Sequence, residues 1–454
     1  MKESKVFEIA NLIRNRITLV DPTFTDALGQ NQTLQTLRLT KNNIGAEGAK
    51  NLAAALSVNQ TLKAVHLAGN KIREEGANSL ADAIKVNKSL REIHLSANKI
   101  GSEGIESLSN ALEINKTLEL IDLSENKGGD EGAIRIAYTL KVNRNLKRIT
   151  LRYNNIGDEG AGRLADAGKV NHTLQKIDLQ GNRVGDESAT KFADALRVNT
   201  SLRELNLQGN NIGDDGVESL SGALKTNQTL AKINLKDNRI GNKGSISFVG
   251  ALKINKTLEE INLGWNNIGD EGVEGLAAIF VVNKRLSKLW LDRNSISNDA
   301  AQSLFKALKH NFIIEKLDLA SNQISRIEAK SRSFEPISNN LQKKIKAICD
   351  DPNRKLLREQ FRRLEQLEME ITKKDIIIAA KDEEISNMAN SITSGSFVSR
   401  NDEIKRKNER IASLEADIKN PVKLLEKIMA SKDEKIASLE ADLRNSKPIV
   451  DTSI

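Results

Sequence analysis

The chain has 454 residues, a formal net charge of +8 and an aromatic content of only 3%. A core built from such a composition is aliphatic, and the single cysteine, Cys349, excludes a disulfide framework or a cysteine-based zinc site within one chain. The positive balance raises nucleic acid as a partner class. Acidic and basic residues alternate throughout, however, and few rings are available to stack on bases, so nucleic acid is not the expected partner.

Met1 to Val20 carries scattered charges and no uninterrupted apolar run, so it does not read as a signal peptide. No stretch reaches the ~20 apolar residues of a bilayer span. The expected location is cytoplasmic, with a nuclear or secreted-effector location left open. Residues 1–23 read as a degenerate N-terminal cap.

From residue 24 the chain repeats itself. An asparagine returns every 28 residues, at Asn42, Asn70, Asn98, Asn126, Asn154, Asn182, Asn210, Asn238, Asn266, Asn294 and Asn322. A second series with the same step runs from Asn31 and Asn59 to Asn283 and Asn311. Between the two lies L-x-x-L-x-L-x-x-N, as in Leu34, Leu37, Leu39 and Asn42. The segment around Leu37 and Leu39 alternates and predicts a short half-buried strand. A buried amide at Asn42 and its equivalents can satisfy backbone groups of adjacent turns, giving a structural asparagine ladder. Ile44-Gly45-x-x-Gly48-Ala49 then turns into a helix whose Ala49, Leu52, Ala53 and Leu56 share one face. One unit cannot bury that face alone, whereas stacked units share a continuous core.

The pattern N-x-T-L-x-x-L-x-L-x-x-N-x-I-G-x-x-G-A-x-x-L-A-x-A-L resembles the ribonuclease-inhibitor-type leucine-rich repeat. Ribonuclease inhibitors, Ran GTPase-activating proteins and the sensing regions of NOD-like receptors share it. The resemblance covers about residues 24 to 330 and implies an α/β fold: a right-handed βα solenoid, or horseshoe, with a parallel sheet on the concave face and helices outside. Residues 24–335 are thus expected to form eleven 28-residue repeats. Gly128 stands for the usual Ile, Gly168 for a helix-end Leu and Ser188 for a turn Gly, so these copies are expected to be softer. The pattern fails after Asn322, at Ser325-Arg326-Ile327.

Eight N-x-S/T sequons, at Asn31, Asn59, Asn87, Asn115, Asn171, Asn199, Asn227 and Asn255, coincide with the repeat and read as part of it rather than as glycosylation sites. No G-x-x-x-x-G-K-[S/T] loop is present. No cofactor motif, hydrolase triad or paired-carboxylate motif stands out, so the chain reads as a non-enzyme.

Strand residues between the buried leucines are expected to point into the concavity, in columns. The first runs Arg38, His66, His94, Asp122, Thr150, Asp178, Asn206, Asn234, Asn262, Trp290 and Asp318. The second includes Arg152, Lys236, Gly264 and Asp292, and the third includes Tyr153, Trp265 and Arg293. Trp, Tyr and Arg dominate interface energetics, so Arg152, Tyr153, Trp265, Trp290, Asp292 and Arg293 are the candidate partner-binding residues. Packing onto neighbours at the end of the sheet is the structural alternative for the two indoles. His66, His94 and Asp122 make a poor metal site, because neighbouring strands are about 4.8 Å apart and three ligands in line strain a tetrahedron. The expected function is a scaffold that binds a protein partner. The alternative implied by the resemblance is activation of a small GTPase, with Arg73, which replaces a turn glycine, as its candidate. The acidic tail of the Ran activators has no counterpart in the mixed-charge segment here.

From about Asn340 the composition turns to Lys, Glu, Arg, Ile and Leu. Residues 336–390 and 403–447 read as helical, coiled-coil-forming segments, with 391–402 a linker and 448–454 disordered. Leu357, Leu364, Ile371, Ile378 and Ile385 repeat at a step of seven. Glu409–Asn420 is nearly duplicated at Glu434–Asn445. This tail is expected to make a homo-oligomer or to dock on a partner helix.

Overall fold

The computed structural model describes residues 9–17, 21–309 and 311–323, with isolated positions between 347 and 355. The expectations for the coiled-coil tail, its linker and the C-terminus lie outside the described residues.

Among the described residues, one parallel sheet of twelve three-residue strands runs in sequence order from Ile9–Asn11 to Lys316–Asp318, and a helix follows each of the first eleven strands. The sheet therefore begins inside the 1–23 segment, where Ile9 pairs with Thr36. From Thr36 onward every strand aligns with its neighbour at an offset of 28, as in Thr36 with Ala64 and Lys288 with Lys316. The middle residue of each of these strands is buried and its two neighbours are more exposed, save Asp178, which is buried beside Ile177, so one sheet face meets the helices and the other is open. Ala49, Leu52, Ala53 and Leu56 are all buried, the alanines allowing the helix to lie close to the strands. Phe192, Phe248 and Phe280 fill the largest places in the core.

Three ladders of side-chain hydrogen bonds join the repeats. In the first, Asn98 Nδ2 donates to the carbonyls of Leu67 and Leu95, both at 2.9 Å. Its Oδ1 accepts the N–H of Asn70 at 2.8 Å. The amide thus saturates backbone groups of two turns that would otherwise be buried unpaired. In the second, Asn115 Nδ2 donates to the carbonyls of Ile84 (2.7 Å) and Asn87 (3.1 Å). Its Oδ1 accepts the N–H groups of Thr117 and Leu118. This series holds the exit of one helix to the entry of the next strand.

The third ladder starts halfway along the array. Asp130 Oδ1 accepts the N–H groups of Gly157 (2.7 Å) and Gly160 (2.9 Å) in the following repeat. Asp186, Asp214 and Asn242 repeat this pattern on Gly213, Gly241 and Gly269. Each is a helix cap supplied by the preceding repeat. It decides the shape of the turn. Where the preceding repeat has Ala46, Glu74 or Ser102, the helix-start residue is left-handed: Arg73 (φ 60°), Gly101 (73°) and Gly129 (60°). Their N–H groups donate to the carbonyls of Asn98, Asn126 and Asn154 instead. Where an Asp precedes, Gly157, Gly185 and Gly213 are extended.

Of the copies expected to be softer, two are compensated. A Cβ at Gly128 would collide with Ile105 Cδ1, which fills the space of the missing isoleucine. Ser188, fully buried, donates its hydroxyl to Asp158 Oδ1 at 2.6 Å and so joins the third ladder. Gly168 is not compensated: a small cavity of about 10 Å³ lies between it and Phe192, Ala195 and Leu196.

Candidate functional site on the open face of the sheet

The register places the first column side by side, from Arg38 beside His66 to Trp290 beside Asp318. The third column has a conformational peculiarity. Tyr153, Asp237, Trp265 and Arg293 all have left-handed backbone, with φ between 52° and 57°. The ladder imposes it: Trp265 N donates to the Asp292 carbonyl at 2.7 Å, after which the chain must turn to send Asn266 into the core. Gly69, Gly181 and Gly209 occupy the same column without steric cost. A bulky L-residue there loses roughly 1–2 kcal/mol.

The candidate residues fall into two clusters. In one, the Trp265 ring, about two-fifths exposed, lies between two cations: Arg293 Cζ is 4.2 Å from its centroid and Lys236 Nζ 5.7 Å. Lys236 also pairs with Asp292 Oδ2 at 3.1 Å. Asp292 Oδ1 packs where a side chain at Gly264 would stand and receives no hydrogen bond. Trp290 has its own cation, Lys316 Nζ, at 5.2 Å. Trp265, Asp292 and Arg293 therefore come together directly, and Trp290 lies two residues before Asp292 with separate ring contacts.

In the other cluster, Arg152 Nε and Nη2 both donate to Asp178 Oδ2, at 2.8 and 2.7 Å. Asp178 is fully buried, and its Oδ1 accepts Asn206 Nδ2 at 2.8 Å. Burial opposes the charge on Arg152, but the Asp178 carboxylate outweighs it and raises the guanidinium pKa. Tyr153 is half exposed, with its ring over Gly181 and its hydroxyl accepting Gln180 Nε2 at 2.9 Å. Four strand steps separate Tyr153 from Trp265, about 19 Å at 4.8 Å per strand.

His66 and His94 stack, with centroids 4.3 Å apart. His94 approaches Glu92 (3.7 Å) and Asp122 (3.8 Å). Burial, then the neighbouring His94 and Arg38, lowers the His66 pKa. Among the described residues no group of three His, Cys, Asp or Glu could hold a metal ion. Arg73 is exposed at a helix start.

The sequence reading missed a column at the strand start. Lys176, Glu204, Lys232, Glu260 and Lys288 alternate in sign across successive strands, with contacts of 2.8, 3.9, 3.3 and 2.8 Å. The alternation at 28-residue spacing is its signal. Burial would raise the Glu260 pKa, but the Lys288 hydrogen bond and the Lys232 charge hold it below the ordinary value. Among the described residues no helix is long and apolar enough to cross a membrane.

Comparison with known proteins agrees with this architecture. The leucine-rich-repeat family matches eight segments, residues 30–53, 58–81, 86–109, 142–165, 170–193, 198–221, 226–249 and 255–277. Over this array the chain is a leucine-rich-repeat protein. Similar solved structures include an internalin from Listeria monocytogenes, 19% identical over 69% of this chain and 87% of that one, with a TM-score of 0.43. The actin-binding site 2 segment of leiomodin-1 is 18% identical, covering 40% of this chain and 96% of its own, with a TM-score of 0.32. The C-terminal domain of a Caenorhabditis elegans tropomodulin is 15% identical, covering 39% and 98%, with a TM-score of 0.30. No curated protein matches the sequence.

Proposed function

We propose that the chain is an intracellular protein-interaction scaffold that docks a protein partner on the open, concave face of its sheet, anchored at Trp265, Trp290 and Arg293. The observation that carries this reading is the Trp265 cluster: the indole is about two-fifths exposed and lies between Arg293 and Lys236, with Asp292 beside it. The cluster also has the make-up of a binding hot spot, an exposed indole flanked by arginine and a partly buried carboxylate. Arg152 and Tyr153 form a second contact farther along the same face. A tail that oligomerises would multiply such contacts by avidity.

The test is affinity capture from cell lysate with the full chain, read by mass spectrometry beside a Trp265→Ala, Trp290→Ala, Arg293→Ala triple variant. A partner retained by the wild type and lost by the variant supports the reading. With that partner purified, Trp290→Ala weakens binding by about 2 kcal/mol. A partner that binds wild type and triple variant equally places the contact surface elsewhere.

A further inference from the structure

A second surface lies at the edge where helices end and strands begin, and it does not depend on the open-face reading. From Asn59 to Asn199, the residue before each second-series asparagine is a large aliphatic left in solvent: Val58, Val86, Ile114, Val142, Val170 and Val198 are each 49–64% exposed. Six successive repeats thus align an apolar row along one edge, rather than the scattered single residues that ordinary surfaces show.

Beside this row is an open groove of about 440 Å³ that crosses several repeats. Five cations line it, Arg91, Lys116, Arg144, Lys147 and Arg203, against one carboxylate, Glu119. Glu119 is already engaged by Lys147 at 2.7 Å. Arg91 donates to the Thr117 carbonyl and Arg144 to those of Leu140 and Asn143, contacts that hold the guanidinium groups at the groove without neutralising them. Val142 precedes Arg144 by two residues, and Val170 and Val198 adjoin groove residues His172 and Thr200 in the same way.

We infer that this edge binds an acidic segment of a partner protein, its carboxylates on Arg91, Arg144 and Arg203 and its apolar side chains on the Val142–Val170–Val198 row. Charge complementarity selects the occupant, because the groove holds a surplus of cations with no internal acid left to meet them. A protein segment suits it better than the other polyanions. The groove is recessed, whereas a bilayer is flat. Its lining includes no Phe, Tyr or Trp, so it lacks the stacking platforms that hold single-stranded nucleic acid.

The experiment titrates the full chain into a fluorescein-labelled peptide of repeating Glu-Glu-Leu and follows anisotropy at low salt. Phosphatidylserine vesicles and a single-stranded oligonucleotide serve as parallel probes. The peptide is expected to bind, to be released by salt, and to lose about tenfold or more in affinity with Arg144→Glu plus Arg203→Glu. Val142→Ser plus Val170→Ser weakens it further. The charge-matched pair Lys50→Glu plus Arg163→Glu does not, and neither does the tryptophan variant, which separates this surface from the open face. The groove, apolar-row and control side chains are all exposed, and thermal melting verifies that each variant is folded. The inference is overturned if the peptide does not bind, if groove and control variants bind it alike, or if vesicles or oligonucleotide bind more tightly through the same residues.

Discussion

Ile105 occupies the volume that Gly128 leaves open in the next repeat. Every other helix from the second repeat to the seventh has Ala or Val at the position of Ile105, as at Ala77, Ala133 and Val217, and the isoleucine appears where the neighbouring isoleucine is missing. The two departures from the repeat are therefore one compensated exchange. Ile105→Ala alone is expected to cost about 2–5 kcal/mol through the cavity it leaves. Gly128→Ile alone overpacks the same space and costs about 1–3 kcal/mol. The double variant should recover most of both losses, as a urea-denaturation cycle will measure. Simple additivity would show that the two residues do not share the space.

Asn210 tests the first ladder. Its Nδ2 donates to the carbonyls of Leu179 and Leu207, both at 3.0 Å, and its Oδ1 accepts Val184 N at 2.9 Å. Asn210→Leu keeps the volume and strands three backbone groups, so a loss of about 2–4 kcal/mol is expected from the desolvated, unpaired donors and acceptors. An unchanged melting midpoint would show that the ladder does not hold the repeats together.

Arg73 has the opposite sign. Its left-handed backbone (φ 60°) is shared with Gly45 (65°), Gly101 (73°) and Gly129 (60°) at equivalent turns. Arg73→Gly relieves roughly 1 kcal/mol of left-handed strain, less the entropy glycine gains in the unfolded chain. The variant should melt at or slightly above the wild-type temperature, whereas Gly101→Arg should melt below it. A marked loss of stability in Arg73→Gly would show that the arginine side chain makes a contact that matters for folding.

Acid should lower the stability of the array in two stages. Unfolded His66 takes up a proton as the pH falls past its ordinary 6.5, while folded His66 resists, so stability declines from that point toward the lower folded value. Glu260 and Asp158 have folded pKa values below the ordinary 4.5 and 3.8, in Asp158 because the hydrogen bonds from Ser188 and Gly185 outweigh burial. Their contribution is present above those ordinary values and disappears as the pH falls through the folded ones. Thermal melts from pH 7 to 3 will show both stages. His66→Gln should remove the first and leave the second, and an unaltered profile would assign the first stage to another group.

What was legible in the sequence was whatever a single repeat could state about itself. Leu37, Leu39 and Asn42 define strand and ladder within one unit, and the 28-residue step then fixes the columns. What was hidden depends on two repeats at once. Asp158 in the first turn of a helix reads as an ordinary acid at a dipole's positive end, and only stacking reveals that it caps the helix containing Ser188. Ser188 and Gly128 look like defects for the same reason, since their partners lie about one repeat upstream. The left-handed column was invisible because Lys41, Gly69, Trp265 and Arg293 share no propensity, only a place in the backbone ladder.

The second asparagine series bears on how the chain can be produced. The side-chain nitrogen of Asn59 has both its hydrogens committed, to the carbonyls of Leu28 and Asn31, and the residue is fully buried. Asn87, Asn115 and Asn171 are held in the same way. A sugar attached to any of these nitrogens is incompatible with closure of its turn. Passage through a secretory compartment would therefore set oligosaccharide transfer in a race against folding, with each modified sequon recording a repeat caught before it had stacked.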